Sequence, residues 1–126
     1  MKITTVRKFA LSLGEVTEEP HHNFSSFRTK GKIFVTVPPD EEHIHVFPPE
    51  HDRDQNLAMY PEFMEKLLWG GKVVGLRISL TMAKPTAVNA VVRTAFEFKS
   101  QAAAAGKRRS GATAKLPTAR GTASGA

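Results

Sequence analysis

Arg28, Lys30 and Lys32 crowd into five consecutive positions of the stretch "FSSFRTKGKIFVTV", residues 24–37. Cations at this spacing on a turn suit phosphate contact, because Lys and Arg neutralise a nucleic-acid backbone and release its condensed counterions. Three charges in a turn are more commonly just solvated, and that reading stands beside the phosphate one. Lys72 and Arg77, within "WGGKVVGLRISL", extend the set on the body of the protein. Lys107, Arg108 and Arg109 form a second cluster in "SQAAAAGKRRSGATAKLPTARGTASGA". Those eight residues are the candidates for meeting a polyanion.

Other chemistries find less support. His43 and His45 are two apart on an expected strand, which puts both rings on one face, and His21-His22 lies just upstream. A closed metal site needs three or four ligands, and no recognised spacing links these histidines to His51 or to the nearby glutamates. Zero cysteines exclude a disulfide framework, thiolate metal sites and cysteine nucleophiles. The chain has no G-x-S-x-G, Walker or H-E-x-x-H motif, and Ser25-Ser26 near His21-His22 is adjacency along an extended segment, not a catalytic geometry. The expectation is a protein that is not an enzyme and carries no cofactor. Trp69, the single tryptophan, has two readings: a core plug, the usual place for a lone Trp in a small domain, or an exposed ring that stacks on a base.

The elements that would position these residues follow from periodicity. Val6, Phe9, Ala10 and Leu13 fall on one face of a helix, and Gly14 is placed to end it in a left-handed cap. Runs at 23–29, 32–37 and 43–47, rich in Phe, Val, Ile and Thr, are punctuated by Lys30-Gly31 and by Pro38-Pro39-Asp40, which predicts a three-strand antiparallel meander. Residues 50–60 suit a short helix stopped at Pro61, with a weak apolar face at Leu57 and Tyr60. One or two strands follow, the clear one running from Val73 to Leu80 with Val74, Leu76, Ile78 and Leu80 on one face and Arg77 on the other. Pro85 opens a last helix with Val88, Val91, Val92, Ala95 and Phe96 inward, expected to end near Lys99. The fold class predicted is α+β: a two-layer sandwich, its antiparallel sheet backed by the N- and C-terminal helices and open on the other side.

Charge divides the chain. Residues 1–99 hold 13 Lys+Arg and all 12 acidic residues, whereas residues 100–126 hold five cations and no acid. That second stretch, dominated by Ala, Gly, Ser and Thr, cannot offset the entropy of ordering itself and is expected to be a disordered basic tail on a domain of residues 1–99. No stretch approaches the roughly 20 apolar residues of a membrane span, and the start of the chain lacks a signal-peptide run, so a cytoplasmic protein without a membrane partner is expected.

The stretches "ALSLGEVTEEPHHNFSSFRTKGKIFVTV", "HIHVF" and "WGGKVVGLRISL", set ahead of a C-terminal helix, resemble the MmcQ/YjbR family of small bacterial proteins across nearly all of residues 3–99. The matching positions are Phe27, Arg28, Gly31, Lys32 and Phe34 in the hairpin and Trp69, Gly70 and Arg77 later. The resemblance implies a CyaY-like fold, a flat antiparallel sheet backed by helices, and DNA binding in a double-wing arrangement without a catalytic motif. It does not carry iron binding with it: that would need a dense acidic ridge on the first helix, where only Glu15 follows the helix end. DNA is therefore the expected partner, held weakly or without sequence specificity. A protein-interaction or small-ligand module with no nucleic-acid role is the alternative.

Overall fold

A computed structural model describes the backbone of residues 1–111 and the side chains of residues 1–104. In chain order it holds α1 (Ile3–Leu11), β1 (Val16–His21), β2 (Phe24–Thr29), β3 (Lys32–Val37), β4 (His43–Val46), α2 (Glu50–Met59), β5 (Met64–Trp69), β6 (Lys72–Ser79) and α3 (Pro85–Gly111). The six strands form one antiparallel sheet in the order β1-β2-β3-β4-β6-β5. α1 and α3 cover one face of it, and α2 packs beside them against β5, β6 and α3. This is the expected α+β two-layer architecture. No helix among the described residues is long and apolar enough to cross a membrane.

The helix-facing side is built on strand alternation. Phe27, Val35, Val46 and Leu76 stand opposite one another across β2, β3, β4 and β6, and all are fully buried. Val6 and Ala10 of α1 and Val88, Val91, Val92 and Ala95 of α3 close over them, at the spacing that marked both helices. The register shifts between Phe27 and Arg28, where Phe34 is the extra residue. This bulge turns the Phe34 ring to the helix side, where it meets Phe96 edge-on with centroids 5.6 Å apart. α1 ends at Leu11 with Ser12 as its C-cap, short of the expected cap at Gly14, which at φ +101° turns the chain toward β1.

Two elements, β1 and α3, depart from the sequence expectation. No element was predicted over residues 16–21; β1 there is an edge strand held by backbone pairing to β2 and by the Arg7 guanidinium of α1 bonding both Glu18 carboxylate oxygens, at 2.9 and 3.2 Å. Pro20 is tolerated there because an edge strand has a side that needs no donor. β5 completes a second hairpin with β6. α3 continues past Lys99 to Gly111, since the alanine run at 102–105 has the strongest intrinsic helix propensity. Of the tail expected to be disordered, residues 112–126 lie outside the described residues.

Gly75 marks a tight point. A Cβ there would lie 2.5 Å from the Val46 carbonyl oxygen and 3.0 Å from the Phe47 ring, so the backbone of β4 itself would have to move. At Gly71 the added Cβ meets open space, and only its φ of +81° resists substitution. Gly75→Ala should therefore destabilise by about 1–3 kcal/mol, and Gly71→Ala by about 1 kcal/mol, in denaturant melts. Equal losses, or the reverse order, would contradict the packing of Phe47 over β6.

Candidate nucleic-acid interface

The face of the sheet away from the helices carries its own cross-strand row. Glu19, Ser26, Thr36, His45, Arg77 and Glu65 pair in sequence across the six strands, one residue out of phase with the buried apolar row. The middle of this row is shielded from water: Ser26, Thr36 and His45 are buried. Ser26 donates to the Glu19 carbonyl at 2.7 Å and accepts from Arg28 Nε at 3.0 Å. Arg28 also donates to the Pro20 carbonyl at 3.3 Å and lies 4.0 Å from Glu19 Oε1. Arg77 Nε faces Glu65 Oε2 at 3.4 Å, while its Nη1 lies 3.4 Å from His45 Nε2.

That last contact fixes the histidine. A guanidinium is always a donor, so Nε2 carries the lone pair and Nδ1 the proton. Burial first, then the charges of Arg77 and His43, push the His45 pKa below the usual imidazole range, with Asp40 opposing weakly. His43 shares the face by register, but its Nδ1 sits 3.1 Å from Asp40 Oδ2. Among the described residues no three metal-ligating side chains come together.

The predicted cations thus fall into three groups. Arg28 and Arg77 lie on the open face with acceptors already at hand. Lys30, Lys32 and Lys72 lie at the two hairpin tips and make no ion pair among the described residues. Lys107, Arg108 and Arg109 belong to the α3 backbone, and their side chains lie outside the described residues. Both tips have the same construction: Lys30-Gly31, at φ +52° and +81°, joins the paired residues Thr29 and Lys32, and Gly70-Gly71, at +57° and +81°, joins Trp69 and Lys72. Two positive φ values in a two-residue loop match the twist of a hairpin, and glycine adopts them without steric cost.

The register also places both tips at one end of the sheet. β3 leaves its tip antiparallel to β4, whose Val46 end meets both Val35 of β3 and Leu76 of β6. β6 therefore starts at the end where β3 starts. α3 runs toward the same end and brings Lys99 near Lys32. Burial, and secondarily the Lys32 charge, lower the Lys99 pKa. Glu15, just before β1, lies at this end by register, and so does the start of α2, where Arg53 donates to the Val73 carbonyl at 3.2 Å and pairs with Glu50 and Asp54; among the described residues none of these acids pairs with a tip lysine. Asp40, Glu41 and Glu42 sit in the β3–β4 loop at the opposite end.

Sequence reasoning missed the clefts on the open face. Trp69, expected in the core, is 58% exposed. It stands at the end of edge strand β5, where no further strand can cover it, with its ring 5.9 Å from that of Phe47. A cleft of ≈ 350 Å³ opens between Trp69 and Phe24 over Thr36 and His45, rimmed by His21, His22 and Asn23. A second, of ≈ 260 Å³, shares Trp69, Thr36 and His21 and reaches Ile33, Phe47 and Lys99. The advance signal was Trp69 itself, one large aromatic beside two glycines, for which an exposed stacking ring was the second reading. No protein-family model, curated protein or solved structure matches the chain.

The protonation of His45 gives this face a pH dependence. The unfolded chain, whose imidazole titrates near pH 6.5, takes up a proton that the folded state resists. Stability should therefore fall as pH drops below about 6.5 and level off beneath the folded-state pKa. In thermal melts between pH 7.5 and 5.5, the wild-type Tm should decline, and His45→Gln should flatten the decline. A wild-type Tm independent of pH over this range would contradict a neutral, buried His45.

Proposed function

We propose that this protein is a non-catalytic nucleic-acid-binding module that grips the phosphate backbone of DNA with its two hairpin tips. The observation that carries the reading is the shared end of the two glycine turns, which gathers Lys30, Lys32 and Lys72 without an acidic partner beside Lys99. The tips are three strand spacings apart in the sheet order, roughly 14 Å at about 4.8 Å per strand. A duplex presents about eight phosphates over that length. The acidic β3–β4 loop lies at the far end of the sheet from the tips, where its charge does not oppose an approaching polyanion. Two parallel-placed hairpins also suit the double-wing arrangement that the resemblance to MmcQ/YjbR proteins implies. Lys107, Arg108 and Arg109 follow Lys99 along α3 and add cations in sequence continuity with this end.

The arginines of the open face play a smaller part in this reading than the tip lysines. Arg28 and Arg77 would have to surrender Glu19, Pro20 and Glu65 to reach a phosphate, whereas the lysines surrender only water.

Fluorescence anisotropy with a labelled 20-base-pair duplex, titrated from 50 to 200 mM salt, tests the assignment. The slope of log K against log salt should shrink by about one unit for each of Lys30→Gln, Lys32→Gln and Lys72→Gln. Arg28→Gln and Arg77→Gln should change it by less than half as much. Absence of duplex binding at 50 mM salt, or slopes indifferent to the tip lysines, would overturn the proposal.

A further inference from the structure

We infer that the Trp69–Phe24 cleft on the open face is a pocket for one unpaired nucleobase, so that single-stranded DNA is the preferred ligand. The inference rests on the backbone-binding reading above and adds to it the part of the ligand that the lysines cannot recognise.

The cleft has the shape and chemistry for a flat heterocycle. Its ≈ 350 Å³ falls at the small end of ligand pockets, enough for one planar ring system and too little for an extended side chain cluster of another protein. Phe24 and Trp69 offer aromatic surfaces on either side, and bases stack on such surfaces regardless of sequence. The Phe24 ring is held against His45, with centroids 5.9 Å apart, and the Trp69 ring against Phe47 at the same separation, so neither aromatic ring stands without a neighbour. Neutral His45 keeps a positive charge out of the floor, and the Asn23 amide at the rim offers both a donor and an acceptor to a base edge.

The surroundings identify the occupant as part of an anionic strand. From Trp69 the adjoining cleft leads to Lys99, which neighbours Lys32, while Lys72 is the cross-strand partner of Trp69 itself. A base seated in the aromatic cleft would place its own backbone toward these three ammonium groups, and an anion between Lys32 and Lys99 would offset their mutual repulsion, which adds to burial in lowering the Lys99 pKa. A paired base cannot enter, because its edges and faces are occupied within the duplex stack.

Trp69 is the single tryptophan of the chain, so its emission reports on the cleft without labelling. Full-length protein is titrated with a twelve-residue oligo-dT and with a duplex of equal length, following Trp69 fluorescence and, separately, the anisotropy of labelled DNA. Oligo-dT should quench Trp69 and bind at least ten-fold more tightly than duplex. Trp69→Ala should weaken the single strand by ten- to a hundred-fold and leave the duplex within two-fold, while Trp69→Phe keeps most of the affinity. Equal binding of both forms without quenching, or a Trp69→Ala variant that keeps full preference for the single strand, would overturn the base pocket and leave the lysine tips standing. Failure of both DNAs to bind wild-type protein at low salt would overturn both assignments.

Discussion

Phe27, Val35, Val46 and Leu76 form one cross-strand row beneath the helices, and the row beside it, Ser26, Thr36, His45 and Arg77, emerges on the opposite face. A single pairing register sets both. Burial of each large apolar side chain is worth roughly 1.5–3 kcal/mol, so a slip of one residue, which would turn the whole apolar row to water, costs about as much as the 5–15 kcal/mol that holds a small domain folded. The open face is therefore placed by the core beneath it. The histidine, the arginine and the clefts around them have no freedom to move independently of that register.

The same constraint explains why the cations separate into those with partners and those without. Within the sheet, cross-strand neighbours fall at fixed positions, and Glu19 and Glu65 stand beside Arg28 and Arg77 as a result. At the Lys30-Gly31 and Gly70-Gly71 tips the strands stop, and the lysines there make no ion pair among the described residues. Two bulges, at Phe34 and at Val74, adjust the pattern near that end. The first sends Phe34 into the core and leaves Ile33 on the open face, where it lines the cleft that leads to Lys99. Sequence, register and the proposed site are linked here through one irregular residue.

Much of this was legible in the sequence because it is local. The spacing of Val6, Phe9, Ala10 and Leu13, the alternation from Val74 to Leu80, and the lysine-glycine turn at 30–31 each state their structure within ten residues. β1 was not legible, because its strand character comes from β2 and from the Arg7–Glu18 bond and not from its own side chains. The length of α3 was misjudged for the opposite reason: the low-complexity alanines that suggested a tail are good helix formers when a packed helix precedes them. The eight candidate cations were visible as residue types, but the acids that neutralise two of them are neighbours only across strands. Trp69 was expected inside because composition favours the core, and its place on an edge strand is a property of sheet order alone.

The hairpin-tip end and the Trp69 side of the sheet are proposed to form one continuous surface for a nucleic-acid strand. Backbone and indole NMR shifts of isotope-labelled full-length protein, followed during titration with oligo-dT, test it most directly. The account predicts that Lys30–Lys32, Gly70–Lys72, Phe24 and the Trp69 indole shift together along one binding curve, while Asp40–Glu42 stay fixed. Shifts confined to the acidic end, or to the helix-covered face, would contradict it.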